Sequence, residues 1–181
     1  MNHQDHVALL RPGIPAPGGI WADLGSGEGA FTLALRELVG PDAVIVSVDQ
    51  DRGRLEAQRR AFRAMFPTSQ PQFIAADLTR PLDLPALDGL VMANVLHFFR
   101  DKEAMLRRLA AYLKPGGRFI LVEYNVDTGN PWVPYPLSFE TYDRLAVRCG
   151  LTRPKRLGAR PSRFLREIYS ALSFRVVIET T

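Results

Sequence analysis

Cysteine is almost missing from this chain of 181 residues, where Cys149 stands alone. One thiol excludes an internal disulfide and a thiolate-held metal cluster. Long apolar runs are missing as well. No stretch approaches the roughly 20 apolar residues of a membrane-spanning helix. Met1–Leu10 lacks the basic start and extended apolar segment of a secretion signal. The expectation is a cytoplasmic protein with no membrane contact, whose lone thiol stays reduced. Histidine is scarce, with three residues. His3 and His6 have no third ligand nearby, so no metal site is expected. No G-x-x-x-x-G-K-[ST] stretch occurs, which excludes a P-loop. Internal repeats and low-complexity segments are also absent.

The composition present, 46% hydrophobic and 23% charged residues, suits one globular domain with a real core. Residues 1–18 read as an N-terminal extension, a polar, then Pro- and Gly-rich connector with one helical turn before it. Residues 19–181 read as a single domain. The net charge of +4 is carried mostly by arginine, clustered in Arg52–Arg63 and Arg153–Arg166. Neither cluster is interleaved with aromatics as a nucleic-acid stacking platform would be. Glu56 stands four residues after Arg52 and four before Arg60, ordinary pairing on a helix surface. A nucleic-acid partner is therefore not favoured.

Apolar runs and helix signals alternate. Gly19–Leu24, Ala43–Val48, Pro71–Ala76, Leu87–Asn94 and Arg118–Tyr124 read as strands, several with the continuous β-branched character of strands buried on both faces. Helices are expected over about Glu28–Val39, Arg52–Phe66, a segment capped by Asp101, and Phe139–Cys149 capped by Ser138. Lys114-Pro115-Gly116-Gly117 breaks the third of these. The tail holds two further strand-like pieces, about Thr152–Leu157 and Glu167–Val177, with no long helix between them. This pattern predicts an α/β fold: a Rossmann-like open, mostly parallel seven-stranded sheet with a C-terminal antiparallel hairpin and helices on both faces.

In such a sheet ligands bind outside the carboxyl ends of the strands, where strand order reverses. Asp23, Asp49, Asp77 and Asn94 all fall at or near those ends. Asp23-Leu24-Gly25-Ser26-Gly27-Glu28-Gly29 joins the first strand to the first long helix. Its glycines run G-x-G-x-G, not the G-x-G-x-x-G of a dinucleotide site. The carboxylates Asp23 and Glu28 flanking the turn oppose a pyrophosphate and suit a ligand carrying an amine and a sulfonium.

Asp23–Phe31, Asp49 after the second strand, Ala76-Asp77-Leu78 and Leu113–Phe119 occur in order, at the usual spacing. Here the chain resembles a class I S-adenosylmethionine-dependent methyltransferase of the small-molecule type, over roughly Ile20 to Val177. The resemblance implies that the backbone of Gly25, Ser26, Gly27 and Gly29 passes along the methionine part of S-adenosylmethionine, with Asp23 near its amino group. It implies that Asp49 takes both ribose hydroxyls, a task suited to a carboxylate, which accepts two hydrogen bonds side by side. Asp77 would accept from the adenine amine and the Leu78 N–H would reach the ring. Gln50 departs from the family, which often has an apolar residue against the adenine there. Asn94 would lie beneath the transferring methyl, leaving S-adenosylhomocysteine as product.

The acceptor is expected to be a small molecule. Asn94-Val95-Leu96-His97 resembles the Asn-x-Leu-His pattern of small-molecule methyltransferases. The Asn/Asp-Pro-Pro-Tyr/Phe signature of enzymes that methylate amide or base nitrogens is missing. His97 is a candidate general base or a histidine packed at the site rim. The loop Asn125–Leu137 reads as a substrate lid or a packed crossover. Trp132 and Tyr135 within it, and Tyr124 before it, are candidate acceptor contacts. An RNA- or protein-directed enzyme of the same fold, or a non-catalytic cofactor-binding module, remain the alternatives. The sequence is silent on the methylated atom and on oligomeric state.

Overall fold

The computed structural model describes residues 1–162 and 164–177. Arg163, in the second arginine cluster, and residues 178–181, at the end of the expected domain, lie outside the described residues.

Seven strands form one sheet: β1 (Ile20–Leu24), β2 (Val44–Asp49), β3 (Gln72–Ala75), β4 (Leu87–Ala93), β5 (Leu113–Tyr124), β6 (Lys155–Pro161) and β7 (Glu167–Phe174), in the spatial order β3-β2-β1-β4-β5-β7-β6. β1 to β5 are mutually parallel, and β7 runs antiparallel to both β5 and β6. The expected hairpin is therefore present. Strand order reverses between β1 and β4, so the crevice predicted for a ligand opens beyond Leu24 and Ala93.

Alternating side chains divide the core into two layers. Ala22, Leu24, Val46, Val48, Leu90, Met92, Phe119 and Leu121 face one side, against Leu106 and Leu109 of α4 (Lys102–Tyr112) and Tyr142 of α5 (Phe139–Arg148). Trp21, Ile45, Val91, Ile120 and Val122 face the other, against Phe31 and Leu35 of α2 (Ala30–Val39) and Val7 and Leu10 of α1 (His3–Leu10). Burial of this kind is worth roughly 1.5–3 kcal/mol per large apolar side chain. The helix α3 (Arg52–Met65) packs on the α2 side, where Gln58 meets Ser47.

Caps fix the helix starts. Asp101 accepts from Ala104 N–H, Ser138 from Thr141 N–H, and Asp51 from Gly53 and Arg54 N–H. The guanidinium of the buried Arg36 closes the end of α2 by donating to the carbonyls of Gly40, Pro41 and Ala43. Glu56 pairs with Arg59, not with Arg52 or Arg60.

Three segments differ from the sequence reading. Residues 1–18 hold a two-turn helix, not a single turn. Asn2 and Asp5 form a capping box, and Val7, Leu9 and Leu10 are buried. Lys114–Gly117 does not separate helix from strand. It forms an irregularity inside β5, since Leu87 pairs with Leu113 and Gly89 with Arg118. The first tail strand is displaced to Lys155–Pro161, and the second ends at Phe174. Register against β7, not local β propensity, sets those bounds.

Candidate active site

Gly25 makes the turn out of β1 at φ +79°, and a Cβ there would sit 2.4 Å from Val95. The loops after β1 and β4 thus approach so closely that only glycine fits. Gly29 caps α2 at φ +90°, and a Cβ would meet Gln58 at 2.3 Å. The loop amides are already committed within the protein. Gly25 and Ser26 N–H both donate to Val48 O, Gly29 N–H to Ser26 O, and Gly27 N–H to Asp49 Oδ2 at 2.8 Å. A pyrophosphate site needs such amides free. Their commitment agrees with the glycine spacing in pointing away from a dinucleotide. The Ser26 hydroxyl likewise points inward, to Ser47 and Gln58.

Beyond the strand ends lies a cleft of about 310 Å³, lined by Gly25, Asp49, Gln50, Arg54, Ala76, Asp77, Leu78, Thr79, Asn94, Val95, Phe98 and Phe99. Asp49 accepts from Gly27 N–H on one carboxylate oxygen and from Asp51 N–H on the other. Each oxygen keeps a lone pair, so the carboxylate can take two more donors side by side. Asp77 accepts from the N–H and the hydroxyl of Thr79. Those bonds hold its carboxyl below the usual carboxylate range. Arg108 of α4 donates to the carbonyls of Leu78 and Thr79 and pins this loop from behind. Asn94 adopts φ +56°, and its Oδ1 is buried without a partner. That is an unused acceptor at the switch point, where an unpaired polar atom costs free energy until a donor arrives.

The cleft thus unites Gly25, Asp49, Gln50, Asp77, Leu78 and Asn94. It does not include Asp23, Ser26, Gly27 or Gly29 in its wall. Asp23 is 1% exposed and accepts from the Thr32 hydroxyl at 2.6 Å. Burial above all, with the nearby Asp49 charge adding, pushes its carboxyl up to about 7 against the lowering bond from Thr32.

Of the residues expected to meet the acceptor, His97 and Tyr124 are buried behind the cleft wall. The imidazole, 3% exposed, packs against Phe98 at 4.2 Å and Tyr124 at 5.6 Å between centroids. Its Nδ1 lies 2.9 Å from Oε1 of the fully buried Glu123. Trp132 and Tyr135 are 77% and 43% exposed and do not line the cleft. Asn130 Oδ1 accepts from Trp132 and Val133 N–H, which fixes the turn that presents Trp132. Tyr135 N–H donates to His97 O and ties the loop to the cleft wall. Lys102, half-buried, lies 5.6 Å from the Tyr135 ring, and burial lowers its ammonium to about 8.

Sequence reasoning did not single out Arg54, Thr79, Phe98, Phe99 or Glu123. Glu123 carried a visible signal: one acidic residue closing the apolar run Phe119–Val122, as Asp49 closes its own strand. Phe98 and Phe99 directly follow His97, but their place in the cleft lining is a tertiary outcome. In the second arginine cluster, Arg153, Arg156 and Arg160 pair with Asp143, Glu167 and Asp5.

No helix among the described residues is long and apolar enough to cross a membrane. No group of three potential metal-ligating side chains forms among them either.

A family model described as a methyltransferase domain matches residues 22–119, more than half of the chain. A demethylmenaquinone methyltransferase of Symbiobacterium thermophilum is 32% identical over 111 residues, 59% of this chain and 43% of that protein. A ubiquinone/menaquinone biosynthesis C-methyltransferase of Shewanella frigidimarina is 28% identical over 125 residues, 68% of this chain and 48% of that protein. The chain spans less than half the length of these relatives. Among solved structures, the YcgJ protein of Bacillus subtilis matches with a TM-score of 0.77 at 14% identity, over 97% of this chain and all of that one. Magnesium protoporphyrin IX methyltransferase from Synechocystis PCC 6803, solved with bound SAH, matches with a TM-score of 0.74 at 21% identity, over 96% and 81% of the two chains. The structural likenesses establish the fold, the family match covers β1 to the middle of β5, and the chain belongs to the methyltransferase-domain family as a class I, S-adenosylmethionine-dependent member.

Proposed function

We propose that this protein transfers a methyl group from S-adenosylmethionine to a small-molecule acceptor with a ring of quinone or phenol type. The observation that carries the reading is the convergence of Asp49, Asp77 and the unpartnered Asn94 Oδ1 on one cleft at the switch point. This acceptor-rich wall fits the cofactor's donors, which are two ribose hydroxyls and an adenine amine. Asp49 would hold the ribose, and Asp77 with the Leu78 N–H would hold the adenine. When bound, the cofactor supplies an electrophilic methyl carbon on a sulfonium.

Gly25, Asn94 and Val95 form the floor at the switch point, and the glycine loop sets how closely a ligand approaches them. Phe98 and Phe99, also in the cleft lining, give it an apolar face on which a planar acceptor can stack. Alignment of nucleophile and methyl accounts for much of such a rate, because holding reactants in line replaces a bimolecular encounter. Asp23, buried behind the glycine loop, supports that loop through Thr32 and α2; contact with the cofactor amine requires that its carboxyl become accessible. Trp132 and Tyr135 extend the acceptor surface beyond the cleft.

The two sequence relatives are named for demethylmenaquinone and for ubiquinone/menaquinone biosynthesis, which supports the acceptor class. The ion pairs of Arg153, Arg156 and Arg160 in the second arginine cluster support a small acceptor over RNA. A cytoplasmic setting belongs to the same reading. The test is methyl transfer from labelled S-adenosylmethionine to a panel of naphthoquinols, benzoquinols and simple phenols, with a structured RNA as a further arm. Label in a quinol or phenol supports the reading. Label only in RNA, or cofactor binding with no transfer to any of them, overturns it.

A further inference from the structure

We propose that Glu123 is the positioning residue of a buried proton-accepting pair, holding the His97 imidazole with its proton on Nδ1 and its lone pair on Nε2. The inference rests on the methyl-transfer reading and names the acceptor's chemistry: a hydroxyl or an activated C–H that must lose a proton as it is methylated.

The carboxylate geometry carries the assignment. Glu123 Oε1 accepts from Tyr124 N–H at 2.8 Å, and Oε2 accepts from His97 N–H at 3.0 Å. Both backbone donors require Glu123 to act as an acceptor. His97 Nδ1 lies 2.9 and 3.1 Å from the same two oxygens. Two acceptors cannot face each other at that distance, so Nδ1 carries the hydrogen and donates it. Nε2 is then the basic end of the neutral ring. Among the described residues it has no hydrogen-bond partner, and it is not one of the sealed, unpartnered polar atoms.

His97 belongs to the same short segment as Asn94, Val95, Phe98 and Phe99, which line the cleft. One ring, Phe98, lies against the imidazole and is itself 58% exposed. A ring that moves with the acceptor opens Nε2 to it. The charged and titratable groups that face the pair are Lys102 from α4, Tyr124 from β5 and Tyr169 from β7, each coupled to Glu123. Lys102 is the one cation of these three. It donates to the carbonyls of Leu96 and Phe99, which fixes the segment that bears His97.

In the transfer step the acceptor's proton passes to His97 Nε2 and its electron pair forms the bond to the methyl carbon. The pair of the broken carbon–sulfur bond stays on sulfur, and His97 later returns the proton to water.

The experiment is nitrogen-15 NMR of the imidazole in the cofactor-free protein, at a pH where the ring is neutral. The expected pattern is a protonated Nδ1 and a bare Nε2. A proton on Nε2 overturns the proposal, whether or not the protein binds cofactor. Calorimetry with S-adenosylhomocysteine, run beside it, tests the methyl-transfer reading separately. Glu123→Gln places an amide donor in the carboxylate's position and disturbs this tautomer. With the acceptor that the transfer panel identifies, it is expected to lower kcat at least about tenfold with KM unchanged, and to abolish the acid limb of the pH profile. A retained kcat, or a raised KM with the pH profile intact, shows a structural role and contradicts the proposal.

Discussion

Replacing Asp23 by asparagine isolates the energetic cost of a buried carboxylate beneath the glycine loop. Asp23 is 1% exposed and its carboxyl is pushed up to about 7, mainly by burial, from an ordinary value of 3.8. Well below pH 3.8 the group is protonated in both the folded and the unfolded chain. As pH rises, the unfolded chain releases the proton first, and the folded chain keeps it until about 7. Folded protein therefore binds more protons across this window, and its stability falls as pH rises. A difference of about three units, at 1.36 kcal/mol each, amounts to about 4 kcal/mol lost between pH 4 and pH 7. Asparagine cannot ionise, yet it retains an oxygen to accept from Thr32 Oγ1. The measurement is urea unfolding of both proteins at pH 4 and pH 7.5, followed through the buried Trp21. The variant's stability relative to the parent is expected to rise by about 4 kcal/mol between the two. The same difference at both pH values would refute the reasoning.

Other perturbations have definite outcomes. Asp49→Ala removes the cleft carboxylate proposed to hold the ribose and should weaken S-adenosylhomocysteine binding by roughly 1.5–3 kcal/mol, the worth of charge-assisted hydrogen bonds; unchanged affinity in calorimetry would take Asp49 out of the proposed ribose site. Gly89→Ala would place a Cβ 2.2 Å from the Trp21 ring, and this overpacking should cost about 1–3 kcal/mol in urea unfolding. An unmoved urea midpoint would show that Trp21 yields freely. Arg36→Met leaves three carbonyls at the end of α2 without their guanidinium donor. A loss of about 1–3 kcal/mol is expected, the cost of orphaned buried acceptors, and full retention of stability would mean that water replaces the donor.

The parallel strands were legible because a strand covered on both faces is apolar along most of its length, as Val44–Val48 is apart from Ser47. The switch point followed from topology, and with it the grouping of Asp49, Asp77 and Asn94. What escaped the sequence was tertiary in origin. The helix α1 looks polar because only Val7, Leu9 and Leu10 meet the core. β6 is basic and weakly β-prone, and pairing with β7 defines it. Asp23 carries the same chemistry as Asp49 on paper; the side chain of one turns under α2 and that of the other faces the cleft. His97 gave no hint of its partner, because Glu123 lies 26 residues away on the neighbouring strand and only the fold joins them.

The account depends on the cleft beyond β1 and β4 binding the adenosyl cofactor. Isothermal titration calorimetry of the protein with S-adenosylmethionine and with S-adenosylhomocysteine tests this most directly. Saturable binding of both at one site per chain is predicted. Failure of both to bind at millimolar concentration would contradict it.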